Sequence, residues 1–455
     1  MKTKADLIEE LNYQDITELI ERHRGHQVKR YHNLYELYKG HHHHIENRVV
    51  GENKPNNKLM ADFYGKLVDT EIGYFLGQPI VFNCEEDKAL DEVGTILVEN
   101  EFDELIMEVG KEASIKGLSY ILIYQDEDSE TKLCRISPEN MITLDSKRGN
   151  GVVGVAIRFY EEILEDDTII TYIEMYDREK IVFLKAKDGV LSYDERFEVN
   201  PLGHIYGQVP VFPFKNNEEE IGSFEKCISL VEAYDQLLSD TSNEHEAYRN
   251  AYLVFKNISA DSEIVNKLKQ NGIIEVFDDG DVKFVTKDIQ DSAISAHLDR
   301  LANDIHKFSD IPDLTDEKFA GNLSGVAIRF KLLGLENKCI AKERKMVKSI
   351  RKMFKALNNV IDVKCGEVID TTRLQIIFTR NIPNNLTEIV DSVVKLNGIV
   401  DKETLLSLLP FVDSPIEILE KLEAENDEYA NDVMKYEDKV FTNTMMSMEG
   451  NELDE

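Results

Sequence analysis

Apolar residues recur every three or four positions in the first part of the chain. Ile16, Leu19 and Ile20 begin such a face within Asp15-Ile16-Thr17-Glu18, a capping-box pattern, and Tyr31, Leu34, Tyr35 and Tyr38 extend it as far as Gly40. Residues 51–57 are polar and include Pro55, which predicts a loop. Helical periodicity returns over 58–77, where Leu59, Phe63, Leu67 and Ile72 share one side. From about residue 80 to 214 the period shortens. β-prone runs at 119–124, 152–160, 168–175 and 181–184 alternate with turns, and a helical stretch over 88–116, broken near Asn100, interrupts them. The pattern predicts an α+β region.

A long helix is predicted over 221–250. Phe224, Ile228, Val231, Tyr234 and Leu238 form its apolar face, which turns polar over 239–246. Such a helix suits a chain leaving one packed body to reach another. Two β-prone runs, 273–277 and 282–285, flank Asp279-Gly280, a hairpin signal, and a second helix follows over 293–308. The order is helix, small β module, helix. Residues 309–322 are irregular, with Pro312 and Gly321. Ser324 is placed to cap a helix reaching about Leu357, and residues 373–379 read as a strand. Beyond Pro383 the pattern is helical with short loops, and Ser414-Pro415-Ile416-Glu417 is a helix start. The polar, acidic stretch 445–455 is expected to be disordered. No internal repeat is present.

Composition narrows the function classes. The 455 residues are 42% hydrophobic and 31% charged, enough apolar material for sizeable cores and too long for one ordinary domain. No run approaches the roughly 18 apolar residues of a membrane span, and Met1 to Leu11 lack a signal-peptide h-region, so a soluble protein made in a cytoplasm is expected. Cys84, Cys134, Cys227, Cys339 and Cys365 are scattered and predict free thiols. The net charge of −34 argues against tight nucleic-acid binding, which needs a basic surface. It is compatible with an acidic wall that lets DNA slide, but composition alone favours acidity that only keeps a large assembly soluble.

Few motifs carry chemistry. Gly149-Asn150-Gly151-Val152-Val153-Gly154 matches the dinucleotide fingerprint in letters, but a strand follows it where a helix is needed, so a hairpin turn is expected. The four histidines His41 to His44 read as an exposed polar turn, without a metal. No catalytic constellation is present, and neither an enzyme site nor a cofactor is expected. In an acidic protein, the helix over 326–357 concentrates positive charge at Lys338, Lys342, Arg344, Lys345, Lys348, Arg351, Lys352 and Lys355. Contact with an acidic neighbouring subunit through Lys342, Lys345, Lys348, Arg351 and Lys352 stands beside a plain solvated face, with direct contact to DNA a weaker alternative.

Two blocks carry a resemblance. The first is Asn56-Asn57-Lys58-Leu59, then Phe63, Lys66, Val68-Asp69-Thr70, Gly73-Tyr74, Leu76-Gly77 and Pro79-Ile80. The second runs from Phe319-Ala320-Gly321-Asn322-Leu323-Ser324-Gly325-Val326-Ala327 into Phe330-Lys331-Leu332-Leu333-Gly334-Leu335-Glu336. Together with Tyr38-Lys39-Gly40 and Arg48, they resemble tailed-bacteriophage portal proteins of the siphophage branch. The resemblance implies a ring of roughly twelve copies at one capsid vertex of the virion, through which double-stranded DNA is packaged and ejected. It implies an α+β subunit with an α/β wing (1–220 and 326–383), a two-helix stem (221–250 and 288–308), a small α/β clip (251–287) and a helical crown (384–444). The loop 309–325 would face the tunnel and DNA through Asp313, Asp316, Glu317, Lys318 and Asn322. The clip, with Asp278, Asp279 and Gly280, would bind terminase and then the head-completion adaptor. Capsid and scaffold proteins would be further partners. The competing readings are a virion adaptor or scaffold that binds only proteins, and an enzyme with an unrecognised site.

Overall fold

The structure is a computed structural model that describes residues 13–51, 54–84, 87–146, 152–187, 189–248, 252–256, 281–285, 291–315, 325–366, 368–382 and 386–409, and seven positions between 412 and 422. The chain divides into two compact units, Met1–Asn381 and Ile382–Glu455. Its class is mixed α+β with antiparallel sheets.

The first unit opens with α1 (Tyr13–His23), a π-helical turn (Arg24–Val28) and α2 (Lys29–Tyr38), which run on without a break. The capping pattern at Asp15 therefore lies inside a helix already under way at Tyr13. After the short α3 (His43–Glu46) comes α4 (Phe63–Leu76), whose N-cap Asp62 accepts a hydrogen bond from the Gly65 amide. The cap places the helix start five residues later than the periodicity suggested, and residues 58–62 are not helical.

Strand β1 (Val81–Asn83) precedes α5 (Asp87–Glu99) and α6 (Phe102–Lys116). The predicted break near Asn100 falls between these helices, where Glu101 adopts φ +48° and the Asn100 side chain bonds the Ile96 carbonyl. α6 ends at Gly117, φ +90°, where a Cβ would meet the Glu220 carbonyl oxygen at 2.0 Å, so only glycine fits.

Two antiparallel sheets follow. β2 (Leu118–Gln125) lies between β3 (Thr131–Ile136) and β10 (Val211–Lys215). The larger sheet runs β4 (Met141–Asp145), β5 (Val153–Ile163), β6 (Ile169–Tyr176), β7 (Lys180–Lys187), β8 (Val190–Tyr193), with β9 (Leu202–Gly203) also on β7. β4 and β5 pair antiparallel, with the Ser146 amide bonding the Val152 carbonyl, so the glycine-rich segment joins two hairpin arms as expected. Its turn residues 147–151 lie outside the described residues. Period-two alternation sorts the sheet's faces. Val155, Ile157 and Phe159 pack with Ile16 and Ile20 of α1, whereas Ala156 points to the other core, with Leu118, Tyr120 and Val211.

Helix α7 (Ile228–Tyr248) begins seven residues later than predicted. Glu225–Cys227 is a 3₁₀ turn, and Phe224 is a buried residue ahead of it. β11 (Tyr252–Lys256) pairs antiparallel with β12 (Asp281–Val285), and α8 (Asp291–Ser309) returns alongside α7. The predicted partner of β12, residues 273–277, lies outside the described residues. α9 (Gly325–Lys331) leads into α10 (Leu333–Cys365), a 33-residue helix about 50 Å long. It outruns the predicted end at Leu357 because Val360 and Ile361 are also buried, and it stops at Gly366, φ +73°. β13 (Gln375–Ile377) pairs antiparallel with β1, far earlier in the same unit. The second unit contains α11 (Leu386–Leu396) and α12 (Lys402–Ser407), the latter capped by Asp401.

Candidate tunnel loop, stem contacts and basic helix

The polar half of α7, which the sequence left without a partner, has one inside the chain. Residues 57–61 run alongside it, and alternate amides reach acceptors four residues apart. The Asn57 amide donates to Asn243 Oδ1 at 2.6 Å, Leu59 to Ser239 Oγ at 3.0 Å and Ala61 to Asp235 Oδ1 at 2.8 Å. The match is geometric. Every second amide of an extended chain recurs at roughly 6.6 Å, and every fourth helical residue at roughly 6 Å. Ser239 also donates to the Leu59 carbonyl at 3.2 Å, and Arg48 pairs with Asp240.

The histidine run belongs to the same seam, which corrects the exposed-turn expectation for one of its members. His42 is 0% exposed, shares a 2.5 Å hydrogen bond with Asp235 Oδ2 and meets Tyr64 edge-on. His44 Nε2 stands 3.6 Å from the same carboxylate oxygen. His41 and His43 are more exposed and face Glu46. Among the described residues no group of three or more His, Cys, Asp or Glu side chains is arranged to hold a metal.

Of the residues expected in the tunnel loop, only Asp313 lies among the described ones. Asp316, Glu317, Lys318 and Asn322 fall outside them. Asp310, φ +59°, ends α8, Ile311 is buried, and His306 Nδ1 lies 2.9 Å from the Ile311 carbonyl. Asp313 accepts from Lys66 at 2.8 Å and from the Thr315 amide and hydroxyl. Partial burial works against its ionisation, but those hydrogen bonds outweigh it and hold the carboxyl well below the usual range. The root of the loop is thus tied to α4. Asp278, Asp279 and Gly280 also lie outside the described residues.

The five cations singled out on the long helix part company. Lys342 is 1% exposed and turned inward, so it is no surface contact. It sits 3.2 Å from Glu71 Oε1 and donates to the Gly110 carbonyl and the Ser114 hydroxyl. Lys338 stands 3.4 Å from the other Glu71 oxygen and donates to the carbonyls of Ser223 and Ser309, which ties the end of α8 to this cluster. Burial alone would raise the Glu71 carboxyl. The two ammonium groups, with hydrogen bonds from Ser223 and Lys342, override it and hold the value at about 2. Lys345 pairs with Glu218. Lys352 is half-buried in a cleft of about 390 Å³, which Lys215, Lys345, Lys348, Asp145, Glu218 and Glu220 also line. Burial lowers its ammonium, and Lys348 and Lys215 add repulsion against the opposing pull of Asp145.

Lys348 and Arg351 are exposed, and so are Arg344 and Lys355, which the five-residue selection omitted. The spacing 344, 348, 351, 355 puts all four on one helix face, and a helical wheel would have found them.

A family model for the phage portal protein, SPP1 Gp6-like, matches residues 17–432. The chain belongs to that portal family. It is 27% identical over 400 residues to the portal protein of Bacillus phage SPP1, covering 84% of this chain and 79% of that relative. It is 26% identical over 391 residues to the portal protein of Clostridium phage phiCD119, covering 81% of this chain and 85% of the relative. A phage portal is a component of the virion, a DNA-packaging conduit at a capsid vertex, built as an oligomeric ring and without enzymatic activity. Membership decides against the adaptor, scaffold and enzyme readings. The portal subunit's described part adds a structural point: the matched region includes the seam between residues 57–61 and α7, the buried Glu71 cluster and the basic helix, all within one unit.

Proposed function

We propose that this portal subunit assembles as a closed ring of roughly twelve copies, with α7 and α8 as the stem. The antiparallel pair β11–β12 and the chain between them form the clip. In this reading residues 251–287, Asp278, Asp279 and Gly280 included, dock terminase during packaging and the head-completion adaptor afterwards. Capsid and scaffold proteins meet the outer parts of the wing. Residues 384–444 form the crown. The loop 312–322 faces the tunnel, where its acids and Lys318 touch the passing duplex and release it. A single lysine among acids suits sliding, since each added phosphate contact would steepen the salt dependence and slow release.

One observation carries the assignment of stem and clip. Two helices that lie side by side are joined by an excursion whose ends close as a β pair, Tyr252 opposite Val285. Replacing residues 251–287 by a short linker is expected to leave the rest folded and to abolish pull-down of terminase and adaptor; undiminished binding would refute the clip assignment. Native mass measurement of the intact chain tests the ring, and only monomers or dimers across salt and concentration would count against it. A cysteine at position 318 is expected to cross-link to DNA in filled heads.

A further inference from the structure

The exposed row Arg344, Lys348, Arg351 and Lys355 spans roughly 16 Å of α10. Among the described residues none of the four has an ion-pair partner; the Arg351 guanidinium makes a 3.4 Å hydrogen bond to the Leu374 carbonyl. Four cations on one face without an ion pair stand out in a chain of net charge −34, although Lys348 also attracts Glu218 across the cleft. Like charges three and four residues apart repel, so the row gains from an acidic partner.

The chain holds a matching feature. The turn between β5 and β6 closes on itself, with the Leu164 amide bonding the Thr168 carbonyl and the Asp167 amide the Leu164 carbonyl. It exposes Glu161, Glu162, Glu165, Asp166 and Asp167, and no basic residue occurs between 161 and 169. Arg24 engages Glu161, and Lys187 of β7 adds a weaker attraction on Asp166. Behind the turn, Ile163 and Ile169 face each other across the two strands and are 69% and 51% exposed. A paired, exposed apolar rung behind an acidic tip has the make-up of a contact surface.

The two features lie at opposite ends of one strand. β5 starts at Val153, in the wall of the cleft that Lys348 and Lys352 also line, and ends at Ile163. Ten residues of strand separate them by roughly 33 Å, so acid and base do not meet within a subunit. A basic row and an acidic turn held this far apart can meet only between copies, by head-to-tail association, the heterologous contact from which rings are made.

We propose that the acidic β5–β6 turn of one copy docks on the Arg344–Lys348–Arg351–Lys355 row of the next, a contact that rests on the ring assembly proposed above. The test uses the intact chain with Cys84, Cys134 and Cys365, the free cysteines that are not buried, replaced by serine. Lys348→Cys combined with Asp166→Cys, treated with a short bis-maleimide, is expected to yield a ladder of covalent oligomers, while either single variant does not. K348E/R351E is expected to raise the concentration for half-assembly about tenfold at low salt, and E165K/D166K in the same chain to restore it. Rings that form normally but give no ladder, or that ignore the charge reversal, would overturn the docking and leave the ring intact. Protection of the row by duplex DNA in place of the neighbour, with no ladder, would also overturn it. A parent chain that forms no ring would overturn the assembly reading itself.

Discussion

Glu71 and Lys342 show how a charge in a portal subunit's interior is held. Both are enclosed, and each answers the other's desolvation with help from Lys338, Ser114 and the Gly110 carbonyl. Removing Glu71 leaves Lys342 as an unpaired charge in the core, whereas removing Lys342 leaves Glu71 still paired with Lys338. Glu71→Met is therefore expected to cost about 3–5 kcal/mol, and Lys342→Met added to it to recover much of that loss, as read from urea midpoints of the two variants. The pH dependence follows from the depressed carboxyl. A group whose folded value lies below its unfolded one stabilises above the ordinary value of 4.5 and loses that contribution as pH falls towards about 2. Glu71→Gln is expected to flatten the acid limb of the stability profile between those values. A limb as steep as in the parent protein would assign acid sensitivity to other carboxyls.

At the scale of elements, residues 57–61 and α7 act as one seam. Each of three backbone amides depends on a side chain of the helix, so the seam opens locally when an acceptor is removed. Asp235→Ala removes the partner of the Ala61 amide and of His42 together. An unmade buried hydrogen bond costs about 1–3 kcal/mol, which predicts roughly 10–100-fold faster hydrogen exchange at the Ala61 amide. Amides in β5, on the far cores, are expected to keep their protection. Equal acceleration in both places would mean that the seam and the sheets unfold as one. This seam also explains why periodicity misplaced the start of α4: Leu59 fits a helical face by spacing, yet it is exposed, and its amide and carbonyl both bond Ser239.

For the whole molecule, the balance of charge sets the conditions of assembly. A subunit carrying −34 repels its copies, while the proposed contact of basic row with acidic turn would draw particular faces together. Salt screens both effects, shrinking the Debye length from roughly 10 Å at 0.1 M to 3 Å at 1 M. If the contact between row and turn dominates, the concentration for half-assembly is expected to rise with sodium chloride, by light scattering or native mass. A steady fall with salt would show that general repulsion outweighs the specific contact.

The amino-acid pattern by itself determined much of this portal subunit. Period-two and period-four runs placed β2, β5, β6, β7, α6 and α8 to within a few residues, because burial on one face writes itself into local spacing. The two motif blocks also carried the family. What only the tertiary structure decided concerns polar residues, whose role depends on what lies opposite them. His42 reads as one of four surface histidines until Asp235, far along the chain, is brought to it. Lys342 belongs by sequence to the same basic series as Lys348; a difference of six positions rotates it into the core against Glu71, while Lys348 stays in solvent. Hydrophobic burial is a property of a residue and its near neighbours, and so is legible along the chain. A hydrogen bond or ion pair requires a particular second group at a particular distance, and only the folded chain supplies it.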